Sequence, residues 1–302
     1  MTAVAHDTAT ASAGARRLRV GPLSLTAPAT LGMLVFFVAP LVTFVVYSFL
    51  TAGLFSVSGP LTLANYTDAI RAPASGRLAV NSFVVGILAA SVSLAVALPI
   101  AYWLRYHAGS LRVFVLFLIT ATLFASYLVR IYAWRSILGE NGLLNDGLER
   151  IGLIDDPLGF LLYSRFAITV ALVHIFLPYV VLVLYAGFGP MSPSLLESAQ
   201  DLGANAFTRW RRVVLPLIAA PAVSAFLFVF VLSASDYVTP QFLGASRDVM
   251  LGVQIQANFK GLGNFPLGAA QSLLMLAAFV LCYGLCALAL RLRRLDRIRW
   301  TT

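Results

Sequence analysis

Charge is what this sequence has least of. Only 11% of its 302 residues are charged while 60% are hydrophobic, whereas a soluble domain runs near a quarter charged. That shortage excludes an ordinary water-surrounded fold. Cysteine is almost missing as well: Cys282 and Cys286 stand one helical turn apart in an apolar run. A disulfide along one helix is geometrically implausible and no second pair completes a metal site, so both read as lipid-facing or packing residues. The three histidines, His6, His107 and His174, are scattered without HExxH or other metal-ligand spacing. Lysine occurs once, as Lys260 after Phe259. A Walker A loop needs Lys directly after Gly to cradle phosphate, so no ATP site of that kind is encoded. There is no GxSxG, no carboxylate pair that the apolar pattern would bring together and no internal repeat. The chain is expected to be no enzyme and to hold no metal or cofactor of its own.

What is present is apolar length. A membrane-crossing helix needs about 20 predominantly apolar residues, because its backbone polar groups must be satisfied within the segment. Six stretches qualify: Pro28 to Leu50, Ala79 to Leu104, Leu111 to Trp134, Phe166 to Phe188, Val213 to Ala234 and Leu267 to Leu290. The expected fold is an all-α integral membrane protein with six spans over residues 26–292. A disordered tail is expected at 1–25 and a basic tail at 293–302. The first 25 residues lack the apolar core of a signal peptide, so the first span reads as uncleaved.

Charge position then orients the chain. The two tails, the 105–112 turn and the 191–212 loop carry thirteen arginines against Asp7, Glu197, Asp201 and Asp296, a net +9. The opposite segments hold Arg71, Arg77, Arg130, Arg135, Arg150, Arg165, Arg247 and Lys260 against eight acids, a net of zero. The positive-inside rule makes the first set cytoplasmic, with both termini. Topology and anionic lipid therefore account for the basic balance, and a nucleic-acid partner is not expected.

One cytoplasmic loop, residues 191–216, is patterned as two short helices. Ser192 or Ser194 can cap the first, Pro193 suits its first turn, and Glu197 lies in its N-terminal half, where the helix dipole favours a carboxylate. Gly203 ends it. A second helix from about Asn205 puts Phe207, Trp210 and Val214 on one stripe, leaving Arg209, Arg211 and Arg212 free to reach lipid phosphates.

The spacing Glu197-Ser198-Ala199, three residues, Gly203, nine residues, Val213-Val214-Leu215-Pro216 resembles the EAA loop of ABC importer permeases. Ser198 stands where the family has Ala, and Val213 where it has Ile. Further segments, 126–134, Gly142-Leu143-Leu144-Asn145 and Ser235-Asp236-Tyr237-Val238-Thr239-Pro240, are similar to the spermidine/putrescine, PotB-like branch. The resemblance implies a MetI-like bundle whose loop is a coupling helix docked on a cytoplasmic ATPase, with Glu197, Ser198, Ala199, Gly203, Leu215 and Pro216 in that role. It implies four companions in a bacterial inner membrane: a second, PotC-like permease, two copies of a PotA-like ATPase carrying ATP and Mg, and a PotD-like extracytoplasmic solute-binding protein. The implied cargo is a polyamine. Another cationic or small organic solute is the alternative, and an ion-coupled secondary transporter or a membrane scaffold are readings of other classes.

Ionisable groups at span ends are costly when they face lipid, so they mark structure or a route. Asp236 and Tyr237 end span five, and Tyr132, Trp134, Arg130 and Arg135 end span three. Asp236 beside an aromatic face suits an ammonium group; a structural pair with Arg130 or Arg135 explains it equally well. The arginines are assigned to packing, carbonyl capping or pairing, and the aromatics equally to an interfacial belt. The 139–165 loop has five acids against two arginines, which fits a cation-favouring mouth, a docking surface or a solvated loop. Pro99, Pro178 and Pro221 are expected to kink spans two, four and five.

Overall fold

The computed structural model describes residues 22–53, 57–261 and 263–293. Of the expected tails, 1–21 and 294–302 lie outside the described residues, while Pro22 already belongs to a helix. Two compact units divide at Val46. The first contains α1 (Pro22–Met33), a π-helical turn (Leu34–Val38) and most of α2 (Ala39–Ser48). Together these make an apolar helix long enough to span, Thr26–Ser48. Pro40 explains the widened turn: it offers no N–H to the Phe36 carbonyl, and Phe36 lies inside that turn.

The second unit begins with a two-stranded ribbon, β1 (Thr51–Ala52) antiparallel to β2 (Val57–Ser58), and the short α3 (Ala64–Arg71). There follow α4 (Pro73–Tyr106), α5 (Leu111–Thr122), α6 (Tyr127–Leu138), α7 (Leu143–Arg150) and α8 (Arg165–Gly187). Next come α9 (Pro193–Asp201), α10 (Ala206–Arg209), a π-helical turn (Trp210–Val214) and α11 (Leu215–Ala234). The chain continues through α12 (Val238–Leu243), a 3-10 turn (Ser246–Asp248), α13 (Leu251–Lys260) and α14 (Phe265–Leu292).

The core is made by α4, α8 and α11. The 34 residues of α4 place Ser82, Gly86, Ala90, Ser93, Ala97 and Ala101 on one buried face. Small side chains let helix backbones approach closely, which is how spans associate when lipid is as apolar as leucine. Gly86 shows how close: a Cβ there would lie 2.9 Å from the Ala234 Cβ and 3.0 Å from the Phe230 carbonyl oxygen. Gly187 of α8 does the same against Pro221 of α11, at 2.7 Å.

Among the described residues, five helices are long and apolar enough to span. The expected third span is the exception. Leu111–Thr122 and Tyr127–Arg150 meet at 93°, so Leu111 to Trp134 is not one straight helix. Short turns close the end of α5, through Leu123 N–H to Thr120 and Phe124 N–H to Ala121. The Arg130 guanidinium then caps what remains, donating to the carbonyls of Ala125 (3.0 Å) and Ile175 (3.3 Å). Carbonyl capping is thus the role Arg130 takes. The second revision is at span five, where Ala206–Ala234 forms one 29-residue helical stretch and the expected second loop helix is its first turns. The π-helical turn makes the splice, because it contains Arg212, whose carbonyl Pro216 leaves without a donor. Helices α4, α8 and α11 run unbroken through Pro99, Pro178 and Pro221.

Candidate functional site

The 191–216 loop folds as its residues dictate. Pro193 opens α9 with Ser192 as N-cap residue, although the Ser192 hydroxyl bonds that of Ser194 (2.9 Å) and not a backbone amide. Gly203 ends the helix at φ +82°, with its N–H on the Gln200 carbonyl and that of Ala204 on Ala199. This paired closure is the Schellman arrangement, and it requires a left-handed residue at that position. Asn205 then starts the next helix by accepting from Thr208 N–H at 2.8 Å. Arg209 Nη1 donates to Gln200 Oε1 at 2.7 Å, tying the two arms of the loop together.

Glu197 and Ser198 are exposed and Ala199 half-buried; among the described residues Glu197 has no ion-pair partner. Leu202 is 88% exposed and Phe207 73%. Phe207 therefore does not join Trp210 and Val214 in the core, as a single apolar stripe requires; only Val214 is fully buried. Ala199, Leu202, Gly203 and Val213 line a shallow cavity of 360 Å³ between the loop's arms. Leu215 is exposed and Pro216 half-buried where the loop enters α11.

This surface is held rigidly to the spans. Arg105 Nη2 donates to the Gly189 carbonyl (2.8 Å) and the Tyr106 hydroxyl to that of Met191 (3.2 Å). Tyr102 packs against Tyr106, Phe188 and Trp210 with ring centroids 4.9 to 5.9 Å apart. Those four rings join the end of α4, the residue that caps α8 and the π-helical turn leading into α11. The loop's pattern was readable from the sequence, but this aromatic bearing was missed; the tyrosines one helical turn apart, Tyr102 and Tyr106, were its only signal.

The route candidates do not gather in one place. Asp236 accepts Val238 N–H at Oδ1 and Thr239 N–H at Oδ2, both at 3.0 Å. It caps α12 and is within interaction range of the Tyr127 hydroxyl, which itself bonds Thr239 Oγ1 at 2.9 Å. Pairing with arginine is corrected by this geometry: Arg130 caps carbonyls and Arg135 donates to the Tyr163 hydroxyl. Tyr132 packs on Phe242, and Trp134 donates to His174 Nδ1 at 3.2 Å. Tyr237 lines a 460 Å³ cavity with Ser235, Gln256, Lys260 and Ser272.

At the opposite end of the bundle from the loop lies a polar knot that sequence reasoning overlooked. Asn81, 1% exposed, donates to the carbonyls of Arg247 (3.1 Å) and Val249 (3.0 Å) and accepts from Arg165 Nη2 (2.8 Å). Arg165 Nε pairs with the buried Asp248 at 3.0 Å. A lone asparagine in an apolar span was the available signal. In the 139–165 loop, Asn145 holds Gly139 and Leu158, and Glu140, Glu149, Asp155 and Asp156 are exposed.

No family model matches this chain. It is 31% identical over 242 residues to the spermidine/putrescine transport system permease protein PotB of Haemophilus influenzae, covering 80% of this chain and 84% of that relative. The Escherichia coli PotB is 29% identical over 212 residues, 70% and 76% of the two chains. The Escherichia coli inner membrane ABC transporter permease protein YdcU is 29% identical over 229 residues, 72% of each. Among solved structures, a bacterial ABC transporter involved in the import of alginate, an acidic polysaccharide, superposes with a TM-score of 0.71. It covers 91% of this chain and 94% of that one at 15% identity, so the fold is shared. The chain, a multi-pass membrane transporter subunit, belongs to the PotB-like family of ABC importer permeases.

Proposed function

We propose that this permease imports polyamines, driven by a cytoplasmic ATPase that docks on the 191–216 loop. The observation that carries the reading is that the Glu197-to-Pro216 spacing folds into an exposed helix, a left-handed stop at Gly203 and an uninterrupted entry into α11. A push on α9 would reach α11 through the Arg209–Gln200 bond and α4 through the Tyr102 ring cluster. Both move as packed helices, which suits rigid-body switching between inward-facing and outward-facing states. Glu197 supplies a charge for an Arg or Lys of the ATPase. Ser198 and Ala199 keep the docking face small, Gly203 sets its end, and Leu215 and Pro216 begin the driven span. ATP and Mg would sit on that partner, present as a dimer. A second permease and an extracytoplasmic binding protein complete the assembly, with the exposed acids of the 139–165 loop available to the latter. The loop and both termini are cytoplasmic on the charge count.

Polyamine cargo rests on the names of the PotB relatives. Asp236, half-buried beside Tyr237 at the end of α11, offers a passing ammonium a carboxylate while capping α12. One observation favours a second reading, a different small organic solute: the cavity lined by Tyr237 contains Lys260 and no carboxylate. Uptake of labelled spermidine, putrescine and neutral solutes by cells expressing the complete transporter tests the choice. ATP-dependent spermidine uptake that falls in Asp236→Asn at unchanged membrane abundance supports polyamine import. Uptake of a neutral or acidic solute in its place overturns it.

A further inference from the structure

Two cavities meet at the first turn of α8. One, of 510 Å³, is lined by Arg77, Arg165 and Arg247 together with Asp248 and two phenylalanines. The other, of 660 Å³, is lined by Leu88, Val92, Val170 and Leu177, with Trp134 and His174 along its side. Arg165 and Phe166 line both. The result is a groove with a cationic mouth and an apolar floor at the end of the bundle away from the Glu197 loop.

The mouth has more positive charge than its own carboxylate can neutralise. Asp248, 4% exposed, pairs with Arg165 at 3.0 Å and Arg247 at 3.6 Å. The Arg165 side chain nevertheless stays 45% exposed and that of Arg247 79%, and among the described residues Arg77 has no ion-pair partner. Asn81 fixes the arrangement by holding Arg165 Nη2 and the carbonyls of Arg247 and Val249. Guanidinium groups in a fixed array suit the planar, two-point recognition of phosphate oxygens. The floor continues the match: from Arg165 to Leu177, α8 rises about 18 Å, slightly more than half of a hydrocarbon core of about 30 Å. That is the depth of one leaflet.

We infer that this groove is a binding site for one anionic phospholipid, its phosphate on Arg77, Arg165 and Arg247 and an acyl chain along α8 beside Trp134. Neither a cationic solute nor a metal cation suits the mouth, and a hydrophilic anion leaves the floor without an occupant. The apolar tail and the negative head are required together.

Brominated acyl chains quench nearby tryptophans, and Trp134 lies where the chain would run. The full-length permease is reconstituted in phosphatidylcholine nanodiscs with brominated phosphatidylglycerol or brominated phosphatidylcholine, and the Trp134 component is isolated by difference from Trp134→Phe. Preferential quenching by the phosphatidylglycerol is expected, weakening roughly fivefold for each arginine neutralised in Arg77→Gln and Arg247→Gln. Val170→Phe, which narrows the floor without adding a tryptophan, should reduce it as well. Because Arg77 makes no ion pair among the described residues, its variant tests the head site without disturbing the Asn81 knot. Equal quenching by the two lipids overturns the proposal, as does selectivity that survives both arginine changes or an unaltered response in Val170→Phe. Competition by glycerol 3-phosphate as strong as that by the lipid would identify a free-phosphate site instead. Loss of quenching once a second permease is bound would assign the groove to protein, and either result also overturns the lipid.

Discussion

Replacing Gly203 separates a conformational requirement from a steric one. Its φ of +82° lies in the left-handed region, and among the described residues no atom beyond its own chain neighbours stands within 4 Å of where a Cβ would be. A side chain therefore meets open space, and the penalty is that of the backbone alone, about 1–2 kcal/mol for an ordinary L-residue. That penalty corresponds to roughly a 5- to 30-fold fall in the population holding the Schellman closure. Asparagine, larger than alanine, tolerates the left-handed region better. The expected order of activity is Gly, then Asn, then Ala, with Val and Leu worst. Solute-stimulated ATP hydrolysis by the reconstituted transporter is the assay, with membrane abundance measured in parallel. The reverse order, Ala above Asn, would mean that a partner surface fills the space beside Gly203, and would refute the argument that the turn itself is what matters.

Gly187→Ala should destabilise the crossing of α8 and α11 by about 1–3 kcal/mol, since its methyl would meet Pro221 at 2.7 Å; a lowered midpoint in detergent thermal denaturation checks it. Asn81→Leu removes the acceptor of Arg165 Nη2 and the donor to the Arg247 and Val249 carbonyls, at about 1–3 kcal/mol for each buried group left unpaired. It should reduce abundance more than Asn81→Asp, read by fluorescence-detected size exclusion. Glu197→Ala should weaken ATPase association by the roughly 2–5 kcal/mol attached to truncating a desolvated charge pair, while insertion into the membrane remains normal. Trp210→Ala, which removes one ring from the bearing, should preserve ATPase binding yet lower transport per ATP hydrolysed; unchanged coupling would show that the rings only pack.

The spans and the loop were legible in the sequence because each is dictated locally, by apolar length in one case and by Ser192, Pro193, Gly203 and Asn205 in the other. The bend after Thr122 was not, since Leu123, Phe124, Ala125 and Ser126 include neither proline nor glycine. It is held from outside by Arg130 on the Ile175 carbonyl and by Tyr127 on Thr239, both contacts across the sequence. The entry to span five misled for a related reason: Arg209, Arg211 and Arg212 read as part of a polar loop, but the widened turn at Trp210–Val214 carries one helix through them. Asp236 shows the limit at the site. Its position at a span end was visible, whereas its two bonds to the first amides of α12 depend on a turn that composition does not announce. The Asn81 knot joins residues more than 160 positions apart in sequence, beyond any local pattern.

In the proposed transport cycle the 191–216 loop receives force from a separate ATPase. Purification of the tagged full chain in mild detergent, as wild type and as Glu197→Ala, tests it most directly. An ATP-hydrolysing subunit should co-elute with the wild type and be depleted from the variant at equal permease yield. Equal recovery of that subunit with both proteins, or its repeated absence from the wild type, would contradict it.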